Sequence, residues 1–272
     1  MLIDDRVAHS RARLHLSEQA VSLHHHDRRI AEMMSKGLQR VHQQGLSLRT
    51  FRRTFGDKLV RELQKAGYTC WYKGDDAETF SLCILANVVD PTNGLRSVTY
   101  AFALRTQAMT AACCFRVTHH AIARCLQRNG TMKISDIRTD LRVASGLSWA
   151  FMCLAHEQGW QQVAVPTPTG LFLGEYNATD GLVLRTFVRP GENGRVSRWS
   201  RVLDAFDGLP PTSDMHNDAA VTGYIDRSNV WLEANSTRIG AKLPFLRQPY
   251  VATADPLDRA WRDNAGAELA AA

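Results

Sequence analysis

The sequence lacks the signatures of the commonest enzyme classes. Its 272 residues contain no Walker loop, no Rossmann glycine fingerprint, no His-Glu-x-x-His run and no Gly-x-Ser-x-Gly elbow. The usual nucleotide-, zinc- and serine-dependent chemistries built on those motifs are therefore set aside. The spacing of Gly170 and Gly174 is a turn feature, because no helix follows it. No window reaches the apolar length that spans a bilayer, and Met1-Leu2-Ile3-Asp4-Asp5 has no basic region leading into an apolar core. Neither a membrane span nor a signal peptide is expected, and the expected location is cytoplasmic. None of the six cysteines belongs to a Cys-x-x-Cys pair, and most lie in apolar runs, so reduced, buried thiols are expected. Cys113 and Cys114 are adjacent on a predicted strand and point to opposite faces, which argues against a mutual disulfide. No internal repeat is found.

What is present is the composition of a globular chain, 44% hydrophobic and 22% charged, long enough for one large domain or two small ones. The net charge of +6 and pI of about 9.1 suit a polyanionic partner.

The pattern predicts an α+β fold: N-terminal helices, then antiparallel sheet segments with helices packed on one face. Residues 4–44 read as helix, with Val21, Ile30, Met33, Met34, Leu38 and Val41 at helical spacings. Within them His24-His25-His26 point about 100° apart in a helix, so at most one or two could share a metal, and no metal or cofactor is expected. A second helix, 48–66, carries the stripe Leu48, Phe51, Phe55, Leu59 and Leu63, with Gly67 as C-terminal cap. Its other face holds Arg49, Arg52, Arg53, Lys58, Arg61 and Lys65, which suits either solvent or a partner.

Strands are expected at 68–72, 80–89, 97–104 and 111–117, with turns at Lys73-Gly74-Asp75-Asp76 and Asp90-Pro91-Thr92-Asn93-Gly94. A helix capped by Ser135 should run to about His156, with Ile137, Leu141, Ala144, Leu147 or Ser148, Phe151, Met152 and Ala155 inward. A meander then follows at 161–166, 170–176 and 181–188, whose last turn contains Asp180-Gly181. Residues 197–206 read as helix, 212–260 as short strand-like pieces, and 263–272 as a frayed end. The expected division is a helical region 1–66, an α+β core 67–208 carrying the site, and an extension 209–272.

The candidate site lies in Arg116-Val-Thr-His-His-Ala-Ile-Ala-Arg-Cys-Leu-Gln-Arg128. Thr118 stands where an N-cap belongs. Ile122, Cys125 and Leu126 fall on one helix face, while His120, Arg124 and Arg128 recur every fourth residue on a neighbouring one. A titratable imidazole beside two guanidiniums is a phosphate site with a proton-transfer group built in, or else a solvated basic face. Two arginines beside His120 should lower its pKa and favour a base role. His119 aligns with Ile122 and Leu126 instead, and is expected to pack against the sheet.

The run His120-Ala121-Ile122-x-Arg124-x-x-x-Arg128 resembles the His/Arg helix of the barnase–EndoU–colicin–RelE-like superfamily of metal-independent RNase toxin domains. The resemblance covers about residues 115–190. It implies helices before a central antiparallel sheet, an inner strand at Leu182–Val188 that carries Thr186 toward the phosphate, and RNA cleavage by 2′-OH attack. His120, Arg124, Arg128 and Thr186 are then the catalytic candidates, with Arg116, Arg185 and Tyr176 binding substrate. Tyr176, Tyr224 and His216 are of suitable type for a second proton-transfer group. The competing readings are a non-catalytic module that binds nucleic acid or protein through its basic faces, and a structural or regulatory protein that oligomerises through residues 1–66. The partners expected are RNA and a protein docked on the N-terminal helices, with no membrane.

Overall fold

A computed structural model describes residues 3–18, 32, 48–65, 69–73, 80–90, 94–103, 106, 109–177, 180–190, 196–212 and 218–249. The histidine triplet 24–26, Gly67 and the tail 263–272 lie outside the described residues. The chain divides into two compact units, one formed by Met1–Arg13 with Phe115–Ala272 and the other by Leu14–Cys114. The fold class is α+β, as expected.

In the Leu14–Cys114 unit the second expected helix is present, but it is not regular. A turn α2 (Leu48–Phe51) passes into a π-helical stretch, Arg52–Gly56, and then α3 (Asp57–Lys65). The wide turn is closed by Asp57 N–H donating to the Arg52 carbonyl. Its effect is one of phase. In an unbroken α-helix, Leu59 would be about 80° out of line with Phe51; one inserted residue reduces the offset to about 20°. Phe51, Leu59 and Leu63 thereby share one buried face. They pack with Phe80 and with Leu82, Ile84 and Phe102 of the antiparallel strands β2 (Ser81–Asp90) and β3 (Gly94–Ala103), where Leu82 stands opposite Phe102. Strand β1 (Thr69–Lys73) pairs on the other side of β2. Alternation of apolar residues on these strands is what lets one face meet the helix.

Strand β4 (Met109–Val117) leads into the other unit, which contains α4 (His119–Arg128), α5 (Ile134–Gln158), β5 (Gln162–Thr167), β6 (Gly170–Asn177), β7 (Gly181–Val188), α6 (Val196–Ala205) and α7 (Asp218–Lys242). The meander β5–β6–β7 is antiparallel, as its turn signals predict. The sheet is nonetheless mixed, because Phe115, Arg116 and Val117 of β4 pair in parallel with Leu182, Val183 and Leu184. A parallel pair needs a long crossover between its strands, and α4, α5 and the hairpin β5–β6 supply it.

Helix α5 starts one residue before Ser135. Its N-cap is Lys133, with no side-chain bond, and Ser135 Oγ instead donates to Asp136. Its buried face includes Ile137, Ala144, Leu147, Ser148, Phe151 and Ala155, but Asp140, Val143 and Leu154 occupy it too, and Leu141 and Met152 sit at its margin. The C-terminal stop is Gly159, left-handed at φ 67°. Asp140 is 1% exposed. Its carboxylate accepts from Thr169 N (3.0 Å) and from Thr169 Oγ1 (2.8 Å), tying α5 to the β5–β6 turn.

The region read as strand-like pieces is chiefly α7. Its buried positions, Val221, Tyr224, Ser228, Leu232, Ser236 and Ile239, recur at helical spacing, but two of them are serine. The apolar stripe is therefore broken in the sequence. Ile225 packs where Gly146 of α5 has no side chain; a Cβ there would lie 2.4 Å from it.

Candidate functional site

Helix α4 begins as its sequence predicts. Thr118 is extended (φ −66°, ψ 154°), and its hydroxyl accepts from Ala121 N at 3.2 Å. The residue is also tied to β7: its N–H donates to Leu184 O at 3.0 Å, and its hydroxyl reaches Arg185 O at 3.4 Å. Ala121, Ile122, Ala123, Cys125 and Leu126 are buried, which leaves His119, His120, Arg124, Gln127 and Arg128 half-buried at the margin.

The group beside His120 comes from the N-terminal helix, residues 5–18. His9 Nε2 lies 3.2 Å from His120 Nδ1, and the rings are 5.1 Å apart. His9 also meets His119 edge-on at 5.6 Å, so both adjacent histidines touch it. One turn before His9, Asp5 Oδ1 lies 3.7 Å from His9 Nε2 and 3.2 Å from Arg124 Nη1. Arg124 Nη1 also donates to Gln127 Oε1 at 2.6 Å.

These surroundings hold both imidazoles below their ordinary pKa of 6.5. For His120, burial is the largest cause, followed by the positive charge of Arg124 and the presence of His9, with Asp5 opposing. For His9, burial again leads; Asp5 opposes it, and His119, Arg124 and Arg13 each add smaller lowering effects. Arg128 is not among the leading causes. It lies eight residues beyond His120, about 12 Å along a helix, and its carbonyl accepts from Arg189.

The other predicted residues take up positions in the same unit. Thr186 is half-buried in β7 opposite Leu173, just past a bulge at Leu173/Gly174. It follows the residue whose carbonyl Thr118 bonds, but no hydrogen bond joins it to His120 or Arg124 among the described residues. Arg185 forms an ion pair with Glu175 (Nε–Oε1 2.9 Å), and Arg116 lies 3.9 Å from Asp180. Tyr176 OH is 3.4 Å from His156 Nδ1 on α5. Tyr224 is buried in α7, and His216 lies outside the described residues. The structure thus brings His120 and Arg124 together, and adds Asp5 and His9.

Sequence reading missed His9 and Asp5. Their spacing of four matched that of His120 and Arg124, but nothing local pairs two helices 111 residues apart. Among the described residues no group of three or more His, Cys, Asp or Glu is arranged to hold a metal ion, and no helix is long and apolar enough to cross a membrane. Five described cysteines are free thiols, of which Cys83, Cys114 and Cys125 are buried.

Comparison with protein families, with curated proteins and with solved structures finds no match to this chain.

Proposed function

We propose that the chain is a metal-independent endoribonuclease of the toxin or effector kind, working from the His9–His120 pair. The observation that carries this reading is the 3.2 Å contact between two half-buried imidazoles with lowered pKa values, next to Arg124. If His120 Nδ1–H donates to His9 Nε2, the Nε2 lone pair of His120 is left to act as base. It would take the 2′-OH proton as that oxygen attacks phosphorus. The P–O5′ bond breaks, the leaving oxygen takes a proton from water, and the products are a 2′,3′-cyclic phosphate and a 5′-hydroxyl. Arg124 would offset charge on the non-bridging oxygens. His9 is a positioning residue that sets the His120 tautomer.

The test is cleavage of a mixed-sequence RNA in EDTA, with His120→Ala as the inactive control and circular dichroism to confirm its fold. Intact RNA across a broad panel overturns the reading. A second reading, a non-catalytic binding module, is favoured by a different observation. Arg116, Arg124 and Arg185 each face a carboxylate of the chain itself, so these guanidiniums already serve the fold. Unchanged binding to RNA after His120→Ala, with no cleavage by either protein, is the outcome that reading expects.

A further inference from the structure

A second basic stretch lies in the Leu14–Cys114 unit. Residues 48–65 hold six basic residues against two acidic ones, a net +4 out of +6 for the whole chain. Three of the six, Arg49, Arg52 and Arg53, line one open hollow of about 570 Å³ together with Asp57, the one acidic lining residue among the described residues. Asp57 leaves a positive excess, three guanidiniums against one carboxylate, and its Oδ1 accepts the Tyr72 hydroxyl at 3.1 Å. No ion pair to Arg49, Arg52 or Arg53 forms among the described residues.

Two features hold the hollow in shape. The Arg52 guanidinium carbon lies over the Tyr72 ring, 4.6 Å from its centre, and 5.7 Å from the centre of Phe80, so cation–π attraction holds it in place. The π-helical turn presents Arg52 and Arg53 while keeping Phe51 and Leu59 in the core. Gly56 allows Tyr72 this position, since a Cβ there would lie 2.7 Å from the Tyr72 oxygen.

From this geometry we infer that the Arg49–Arg52–Arg53 hollow binds the phosphodiester backbone of single-stranded RNA. Guanidinium forks match phosphate oxygens in pairs. The hollow is too large for one phosphate and is of the size that takes a nucleotide or more. Arg52, exposed and held over Tyr72, offers a guanidinium on which an unpaired base can stack, and a duplex has no such base to offer. The open mouth lets a chain run on toward Lys58 and Arg61, both exposed on α3. This inference does not rest on cleavage and stands if the His9–His120 pair does nothing to RNA.

The experiment measures binding of a fluorescent 2′-O-methyl oligonucleotide of 12 nucleotides to the full chain from 0.05 to 1 M salt. The blocked 2′ position prevents cleavage by 2′-OH attack, so binding is read separately from catalysis. Three phosphate contacts to a single strand give a log–log salt slope of about −2, or about 100-fold in affinity per decade of salt. Arg49→Gln/Arg52→Gln/Arg53→Gln is expected to lose about 100-fold at 0.1 M salt and to flatten the slope by about 2. Arg49→Gln/Arg53→Gln leaves the Arg52 stack intact, and is expected to lose about 25-fold. The triple Lys variant should keep most of the slope, and Arg138→Gln on α5 should change nothing. Wild-type affinity in the double and triple Gln variants overturns the inference. So does equal binding of a 12-base-pair duplex, or saturation by millimolar inorganic phosphate with no binding of the oligonucleotide.

Discussion

Replacing Gly174 with alanine tests whether the bulge between β6 and β7 is as tightly built as the geometry says. A Cβ at Gly174 would lie 2.0 Å from the Val183 carbonyl oxygen and 2.8 Å from the Leu184 Cα. An ordinary carbon–oxygen contact is about 3.3 Å or more, so the two strands must part by over about 1 Å. The obstacle is backbone, and no side chain can swing aside. Overpacking of this kind costs about 1–3 kcal/mol. Loss of about two ladder bonds in a buried place adds about 1–3 kcal/mol. The expected destabilisation is therefore about 2–6 kcal/mol, or roughly 6–18 °C in Tm for a unit of this size at about 3 °C per kcal/mol. Urea unfolding followed by tryptophan fluorescence would read it as a lowered midpoint at unchanged slope. Gly159→Ala is the control: nothing lies within 4 Å of its Cβ position, and only its φ of +67° opposes a side chain. That substitution should cost about 1–2 kcal/mol. If Gly174→Ala is no worse than Gly159→Ala, the steric argument is wrong, and so is the account of how Thr186 comes to stand opposite Leu173.

Other substitutions probe the ties around the site. Asp140→Ala leaves Thr169 N–H and Oγ1–H without their acceptor in a half-buried place, and should lower stability by about 2–4 kcal/mol in urea titration. Thr118→Ala removes the α4 cap and should cost about 1–2 kcal/mol by the same method, while Thr118→Ser restores most of it. The pH dependence has a definite sign. His9 and His120 have folded pKa values below 6.5, so the unfolded chain binds their protons more readily. The stability is full above pH 6.5 and falls as pH drops through the lowered folded values. The double variant His9→Gln/His120→Gln should flatten the urea midpoint between pH 6.5 and 5. A profile as steep as that of the parent chain would show that other groups carry the acid sensitivity.

Much of the fold was legible because it is local. Thr118 caps α4 through its own hydroxyl, and the β6–β7 turn follows from Asp180-Gly181. Strands β1 to β7 answer to runs of β-branched and aromatic residues broken by turn clusters. Long-range features were not written locally. The parallel pairing of β4 with β7 joins Val117 to Leu184 across two helices and a hairpin. Helix α7 hid because Ser228 and Ser236 occupy inward positions that a search for apolar periodicity skips. The π-turn hid because each step of the stripe Leu48, Phe51, Phe55, Leu59 and Leu63 is three or four residues, so every step reads as helical while the accumulated drift goes unseen. For the site, the sequence could place His120 beside Arg124, four residues apart on one helix, and point to a lowered pKa. The leading cause, burial, depends on packing against the N-terminal helix, as does the partner His9.

Asp5 gives this arrangement a further property. Its carboxylate sits on Arg124, the residue proposed above to meet phosphate, and it belongs to the helix that carries His9. Any anion arriving at Arg124 is therefore in exchange with a tethered rival whose local concentration never falls. Occupancy at that position reports the competition between the two anions as much as the affinity of the newcomer. Asp5→Asn removes the rival's charge while keeping its shape. Anion affinity at Arg124 in that variant measures how far the chain's own N-terminal segment holds the position closed.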